Sequence, residues 1–191
     1  MDHITGLILA GGLARRMGGG DKGLRRLHDK PLVTHAIERL APQVDTLLIS
    51  ANQNYAAYAA FGYPVIADVI PGFVGPLAGL HAGLSQCATP LLVTAPCDSP
   101  FLPLDLVARL HAALATTSAQ LAVAQSAGRA QPVFALYRRE LLKHLSDFLA
   151  EDGRKINAWH ATLEIVEVSF PDAAAFANIN TPEELATLEA P

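Results

Sequence analysis

Short apolar runs alternate along the chain with longer segments in which apolar residues recur at helical spacing. The run from Ile4 to Ala10 is short, contains branched residues and ends at two glycines, and residues 46–50 and 91–95 form similar runs. Such runs are typical of strands that are buried on both faces of a parallel sheet. Further strand-like runs are predicted at residues 63–68, 120–124 and 132–137.

Helical spacing is clear in residues 32–40, where the apolar positions fall on one face. Pro31 suits the first turn of this helix, and Pro42 ends it. Similar patterns predict helices at residues 76–87, 103–114 and 138–149. Strands that alternate with helices indicate a Rossmann-like α/β fold with three layers, α/β/α, and a mostly parallel sheet. We expect one domain over residues 1–191.

The last helix is predicted from the residues that begin it. Thr181, Pro182 and Glu184 have the spacing of a capping box with proline at the first helical position. Asn178 and Asn180 precede this helix on an extended segment, so their amides should point to the same face. The capping box explains residues 181–184 structurally and leaves the two asparagines for a functional role.

Composition narrows the class of protein. The chain has 191 residues, 51% of them hydrophobic, and a net charge of −4, which suits one substantial core and argues against a general nucleic-acid binder. No apolar stretch approaches the roughly 18 residues of a membrane span, and Asp2 and His3 stand where a secretion signal would be basic. Cys87 and Cys97 form no Cys-x-x-Cys pair. We therefore expect a cytoplasmic protein that binds neither nucleic acid nor membrane.

The loop after the first strand carries the strongest candidate chemistry. Gly11, Gly12 and residues 18–20 are glycines, whose backbone N–H groups can surround a phosphate without side-chain obstruction. Arg16 and Lys22 add positive charge to the same loop. Open α/β sheets bind ligands outside the carboxyl ends of their strands, which favours a polyphosphate-binding loop over an ordinary surface loop.

The loop does not match two better-known phosphate-binding motifs. The P-loop requires Gly-Lys-Ser/Thr, whereas Lys22 lies between Asp21 and Gly23. A Gly-x-Gly-x-x-Gly match at residues 18–23 begins eight residues after Ala10, too far from the strand for a dinucleotide fingerprint.

Polar residues follow three other predicted strands. Asp98 lies between two prolines after the run at 91–95, so its carboxylate stands on a stiff loop, and Mg²⁺ prefers one or two carboxylates together with substrate phosphates. Ser50 ends the second strand and Asn52 follows it, and Asp68 ends the third, so all three are candidates to contact a base or ribose. Alternatively, Asn52 and both aspartates have only a structural role, in a turn or as a helix cap.

Three blocks of the glycine loop carry a family resemblance: Leu9-Ala10-Gly11-Gly12, Arg16-Met17-Gly18-Gly19 and Asp21-Lys22-Gly23. Together they resemble the signature loop of nucleotidyltransferases of the molybdenum cofactor guanylyltransferase (MobA) type. The Gly-Pro-Leu-Ala-Gly element at 75–79, the Pro-Cys-Asp-Ser-Pro loop at 96–100 and Asn-x-Asn-Thr-Pro at 178–182 are similar to further elements of that family. The resemblance covers residues 4–185.

The resemblance implies transfer of GMP from GTP to the terminal phosphate of molybdopterin, the molybdenum cofactor, with Mg²⁺ as cofactor and pyrophosphate as product. It implies catalytic roles for Arg16, Lys22 and Asp98, with Asp98 as the metal ligand. Residues assigned to the nucleotide are Leu9, Ala10, Gly11, Gly12, Lys22, Ser50, Asn52, Asp68, Gly75, Gly79 and Asp98. Residues assigned to the acceptor are Arg154, Lys155, Asn178 and Asn180. Molybdenum insertion proteins and chaperones of target molybdoenzymes are implied as partners.

Several alternatives stay open. A related nucleotidyltransferase that uses CTP or a sugar phosphate would share the loop and differ in base and acceptor. A non-catalytic nucleotide-binding protein would leave Asp98 unexplained, and the misplaced glycines disfavour a dinucleotide oxidoreductase. Arg154 and Lys155 would otherwise be ordinary solvated charges, and Trp159 and His160 either close a pocket or pack.

Overall fold

A seven-stranded sheet lies at the centre of the fold. The computed structural model describes residues 2–11, 21–70 and 75–189. The sheet strands are β1 (Ile4–Leu9), β4 (Thr46–Ser50), β5 (Val65–Ile66), β6 (Leu91–Pro96), β7 (Leu121–Ser126), β8 (Arg129–Arg138) and β9 (Ile165–Phe170). A separate two-stranded hairpin consists of β2 (Arg26–Leu27) and β3 (Lys30–Pro31).

The spatial order of the sheet is β5-β4-β1-β6-β8-β7-β9. β1 pairs in parallel with β4 and β6, β5 extends this parallel half, and β7 and β9 are parallel to each other. β8 alone is antiparallel to its neighbours β6 and β7. The predicted mostly parallel sheet is therefore confirmed. The carboxyl ends of β5, β4, β1 and β6 meet at one edge, where polar loops follow each strand.

Helices cover both faces of the sheet. They are α1 (Leu32–Leu40), α2 (Tyr55–Ala59), α3 (Pro76–Gln86), α4 (Leu106–Ala115), α5 (Leu141–Ala150), α6 (Ile156–His160) and α7 (Pro182–Glu189). Apolar residues of α1 and α4 form one core with the sheet, and those of α3, α5 and α6 form a second core with the other face. The three-layer α/β/α arrangement is confirmed. None of the helices in the described residues is long and apolar enough to cross a membrane.

Some elements differ from the sequence prediction. The strand predicted at 63–68 is reduced to Val65–Ile66, and β9 and α2 were not predicted. Exposed or half-exposed positions alternate along β9, which lies at the sheet edge, so it lacks the continuous apolar run that marks the inner strands. α4 and α5 begin three residues later than predicted, at Leu106 and Leu141.

The capping box at the start of α7 is present as predicted. Thr181 Oγ1 accepts a hydrogen bond from Glu184 N at 3.1 Å, and Glu184 Oε2 accepts from Asn180 N at 2.6 Å and from Thr181 N at 3.2 Å. The box therefore fixes the chain direction between the extended segment that carries Asn180 and the helix.

Replacing Thr181 with alanine should lower the free energy of unfolding by about 1 kcal/mol, because the amide of Glu184 loses its side-chain acceptor. Urea unfolding followed by circular dichroism measures the change. Thr187 is the matched control, since it lies exposed in the same helix and donates to the Glu183 carbonyl at 2.8 Å. Thr187→Ala should stay within about 0.5 kcal/mol of the parent. Equal effects of the two substitutions would contradict a stabilising role for the box.

Candidate functional site

A pocket of about 360 Å³ lies at the sheet edge where the parallel strands end. Its volume is within the range of small-molecule sites. The ends of β1, β4 and β6, the start of α3 and the segment before α7 supply its walls. The lining residues are Leu9, Gly11, Lys22, Ser50, Asp68, Gly75, Pro76, Gly79, Pro96, Cys97, Asp98, Val133, Asn178 and Asn180.

Most of the predicted site residues line this pocket. Ala10 is buried beside it and donates its amide to the Ser50 carbonyl at 2.8 Å, which ties the ends of β1 and β4 together. Gly12 and Arg16 lie outside the described residues. Val133 on β8 also lines the pocket, and nothing in its apolar strand pattern marks it as a site residue.

Lys22 and Asp98 form an ion pair inside the pocket. Lys22 Nζ contacts Asp98 Oδ2 and also donates a hydrogen bond to Asn180 Oδ1 at 2.6 Å. The Lys22 and Asp98 side chains are only 17% and 9% exposed, so both charges are partly desolvated and their attraction exceeds that of a surface pair. The predicted phosphate-binding cation and the predicted metal ligand thus meet at one point.

The loop that carries Asp98 is held by the segment that precedes α7. Ile179 N donates to the Asp98 carbonyl at 3.0 Å, and the buried Ser99 donates its hydroxyl to Asn178 Oδ1 at 2.5 Å. Cys97 N donates to the Leu9 carbonyl at 3.1 Å, which joins the loop to β1. Asn178 and Asn180 both line the pocket, in agreement with their predicted common face, and their side-chain oxygens accept from Ser99 and Lys22.

Asp68 follows β5, on the far side of the pocket from Asp98, because β4 and β1 separate β5 from β6. Its partner Asn52, a predicted nucleotide contact, is not among the residues that line the pocket. Asn52 Nδ2 donates to Asp68 Oδ2 at 2.8 Å, and Asp68 N donates to Asn52 Oδ1 at 2.9 Å. Asp68 Oδ1 is buried and has no hydrogen-bond partner among the described residues. Burial raises the pKa of Asp68 above its usual value, although the hydrogen bond from Asn52 opposes that change. A ligand with hydrogen-bond donors would satisfy this carboxylate.

The first turn of α3 closes the pocket beside Ser50. A Cβ atom at Gly79 would lie 2.7 Å from Ser50 Oγ and 2.8 Å from a methyl carbon of Leu9, so the helix approaches the ends of β1 and β4 more closely than a larger residue allows. Gly75 precedes the helix with a φ of 142°, a conformation that favours glycine. Both glycines occupy the places that the sequence predicted for them.

Cys97 lines the pocket but is buried, and burial raises the pKa of its thiol well above the usual value. It therefore stays a thiol and packs, as the sequence analysis interpreted it. Trp159 is fully buried, stacks on Tyr137 with ring centroids 5.8 Å apart and donates to His144 Nδ1 at 3.0 Å. Burial also lowers the pKa of His160 to about 4, so this ring stays neutral. Of the two alternatives for Trp159 and His160, packing is the one observed.

Two of the four predicted acceptor residues lie elsewhere. Arg154 is exposed and donates to Asp152 Oδ1 at 2.6 Å and to the Gly153 carbonyl at 3.1 Å. Neither Arg154 nor Lys155 is among the residues that line the pocket. The structure therefore brings Asn178 and Asn180 to the ion pair and places the two cations outside it.

Beside Lys22, the described part of the pocket offers a metal ion one carboxylate, that of Asp98, so a bound metal would take its other ligands from a bound substrate and from water. Among the described residues no group of three or more His, Cys, Asp or Glu side chains could hold a metal ion by itself. Asp98 offers one carboxylate, and the Lys22 ammonium against it shows that its oxygen accepts a cation in this position. A hard divalent ion that takes its other ligands from phosphates and water fits such a site.

Comparison with known proteins agrees with this geometry. Residues 6–165 match the model of the MobA-like NTP transferase domain. A molybdenum cofactor guanylyltransferase of Cupriavidus necator is 56% identical over 98% of this chain and 97% of the relative. Another from Cupriavidus taiwanensis is 56% identical over 99% of this chain and 98% of the relative.

A solved structure supports the same fold. Molybdopterin-guanine dinucleotide biosynthesis protein A from Archaeoglobus fulgidus superimposes with a TM-score of 0.80 at 23% identity, over 97% of this chain and 96% of that protein. At this identity the likeness shows the fold alone. The family model and the two close relatives together confirm the resemblance that the sequence motifs indicated, and the chain belongs to the MobA-like NTP transferase family of nucleotidyltransferases.

Proposed function

We propose that this chain transfers GMP from GTP to the terminal phosphate of molybdopterin, forming the guanine dinucleotide cofactor and releasing pyrophosphate. The observation that carries the proposal is the pocket itself, in which the Lys22–Asp98 ion pair and the Asp68 carboxylate lie at opposite ends. The names of the close relatives support the same reaction.

The triphosphate would lie at the end of the pocket that contains Lys22, and the base at the end that contains Asp68. The Lys22 ammonium is a donor suited to phosphate oxygens. The buried Oδ1 of Asp68 is an acceptor suited to the N1 and N2 donors of guanine. Arg16 and Gly12 belong to the same proposed phosphate site by their sequence motif.

The transfer requires no covalent intermediate with the protein. An oxygen of the acceptor phosphate attacks the α-phosphorus of GTP, and the bond from that phosphorus to the pyrophosphate oxygen breaks. The attacking group is already an anion, so the protein must mainly neutralise charge and align the two substrates. Lys22 would stabilise charge that develops on the transferred group and on pyrophosphate. Mg²⁺ held by Asp98 would supply further positive charge to the phosphates.

The acceptor would enter beside Asn178 and Asn180, next to Val133 on β8. Both amides are held by protein partners, which fixes their orientation before a ligand binds. Contact of Arg154 and Lys155 with the acceptor stays a prediction. Three further statements also stay predictions. They are the single domain over residues 1–191, the cytoplasmic setting, and partnership with molybdenum insertion proteins and molybdoenzyme chaperones.

Base selectivity tests the proposal. Calorimetric titration of the protein with GTP, ATP and CTP in the presence of Mg²⁺ should show a preference for GTP over ATP of at least about a hundredfold, because adenine leaves roughly two hydrogen bonds at Asp68 unmade at 1–3 kcal/mol each. Asp68→Asn should lose this preference. It should instead favour xanthosine triphosphate, whose C2 carbonyl accepts from an amide.

Asp45 is the matched control, because its carboxylate accepts from Ile4 N at 2.7 Å at the opposite end of β1. Asp45→Asn should leave the nucleotide preference unchanged. Equal binding of all three nucleotides would refute the guanylyl assignment. Tighter binding of CTP would instead identify a cytidylyltransferase with the same roles for Lys22 and Asp98.

A further inference from the structure

A buried carboxylate directly precedes Lys22 in the chain. Asp21 is 7% exposed. Its Oδ1 accepts hydrogen bonds from the Tyr58 hydroxyl at 2.5 Å and from Gly23 N at 3.1 Å, and its Oδ2 accepts from Asn54 Nδ2 at 3.1 Å. Asp21 is absent from the pocket lining. Its three donors come from two separate segments, so the carboxylate joins the loop to α2 and to the residue before it.

The Tyr58 hydroxyl is a fixed donor. The side chain is fully buried in the core with α1, and burial is the main reason that the pKa of Tyr58 is raised above its usual value. The hydroxyl therefore keeps its proton and donates to Asp21. A phenylalanine would fill nearly the same volume, so core packing alone does not account for a hydroxyl at this position.

The backbone on the other side of Lys22 is equally restrained. A Cβ atom at Gly23 would lie 2.5 Å from the Tyr58 oxygen and 3.1 Å from Cys97 Sγ, so only glycine lets the chain pass here without displacing them. The Gly23 carbonyl accepts from Val33 N, in the first turn of α1, at 2.9 Å. The backbone at Lys22 is therefore anchored on both sides, by Asp21 before it and by Gly23 after it.

We infer that Asp21 and Tyr58 are positioning residues that place the Lys22 ammonium at the phosphate end of the pocket. The inference rests on the proposed function. A lysine side chain is flexible and has many rotamers, and it can reach Asp98 and Asn180 together only from a suitable backbone position. Tyr58 and Asp21 act through Lys22 and touch no substrate themselves.

A double-mutant cycle on nucleotide binding tests this inference. Tyr58→Phe should weaken GTP binding about tenfold, since one hydrogen bond to a charged group is lost, and should leave the binding of guanosine, which has no phosphates, unchanged. In the Lys22→Ala background the same substitution should change GTP affinity less than about twofold, because two residues that act through one contact are not additive.

Tyr55→Phe is the matched control. Tyr55 lies on the same helix, is 56% exposed and donates its hydroxyl to the Val65 carbonyl at 2.9 Å, away from Asp21. It should leave GTP and guanosine affinities unchanged. Asn54→Gly provides a milder second variant if Tyr58→Phe does not fold. It removes one donor to Asp21, and glycine tolerates the φ of 53° at this position. It should weaken GTP binding about threefold, again only when Lys22 is present.

The possible failures are distinguishable. A loss of GTP affinity by Tyr58→Phe that is equal with and without Lys22, or that extends to guanosine, would show a merely structural role and overturn the inference. Unchanged GTP affinity in Tyr58→Phe would do the same. If Lys22→Ala itself left GTP binding intact, the phosphate site of the proposed function would be wrong.

Discussion

Replacing Lys22 with alanine is expected to lower the turnover number by about a hundred- to a thousandfold, equivalent to roughly 2.7–4 kcal/mol of transition-state stabilisation. The reason is that a charged donor, only 17% exposed and aimed at the phosphate end of the pocket, is removed. Steady-state release of pyrophosphate with GTP and molybdopterin measures the change. Thermal unfolding of the same sample checks that the variant is folded at the assay temperature, because removing Lys22 leaves the 9% exposed Asp98 carboxylate without its ion-pair partner.

Lys30 provides a matched control for the loss of one lysine. It is about half exposed and pairs with Glu38 at 2.7 Å on the hairpin and α1, outside the pocket. Lys30→Ala should keep near-normal turnover. Near-normal turnover in Lys22→Ala as well would mean that the loop does not stabilise the transferred phosphate, and the catalytic assignment of Lys22 would be wrong.

Asp98→Asn is expected to have a comparable or larger effect. An amide keeps the shape of the side chain but loses the negative charge that a divalent ion needs, and metal stabilisation of phosphate charge contributes several kcal/mol. We therefore expect turnover to fall at least about a hundredfold. Binding of Mn²⁺ in the presence of GTP, followed by electron paramagnetic resonance, should weaken in parallel. The variant should still bind guanosine, which needs the folded pocket but not the metal, and this separates metal loss from misfolding.

Asp105 serves as the control for this substitution. Its side chain is 59% exposed and lies 3.6 Å from Arg109 at the start of α4. Asp105→Asn should change neither turnover nor Mn²⁺ binding. Full Mn²⁺ affinity in Asp98→Asn would place the metal on other residues, even if turnover fell.

The inner strands and their helices could be predicted closely from the sequence. The predicted strand at 46–50 coincides with β4. The first predicted helix matches α1 except at its start, because Pro31, expected in the first turn, precedes the helix and belongs to β3. Both α1 and β4 carry complete patterns, because their buried positions repeat at helical spacing or form a continuous run. β9 could not be predicted from such a pattern, because alternate residues of this edge strand face solvent and interrupt its apolar run. The antiparallel direction of β8 could not be predicted either, since strand direction depends on pairing and not on the strand's own residues.

The site shows the same difference between features that a local sequence pattern reveals and features that depend on contacts between distant parts of the chain. Asp98, Asp68 and Ser50 could be predicted as pocket residues because each lies at or just after the carboxyl end of a strand, and parallel strands bring these ends together. The roles of Tyr58 and Ser99 could not, because they depend on contacts with residues 37 and 79 positions away in the chain. Arg154 and Lys155 show the opposite case, in which a local charge pattern indicated a site but carried no information about its distance from the pocket.

In the proposed function, the ion pair between Lys22 and Asp98 would make the binding of the triphosphate and the binding of the divalent metal thermodynamically dependent on each other. While the ammonium contacts Asp98 Oδ2, it competes with any metal for that oxygen. A triphosphate that attracts Lys22 leaves the carboxylate uncompensated and so raises its affinity for a divalent cation. By linkage, the cation raises the affinity for the triphosphate by the same factor. We therefore expect nucleotide and metal to bind cooperatively, as a consequence of this one contact.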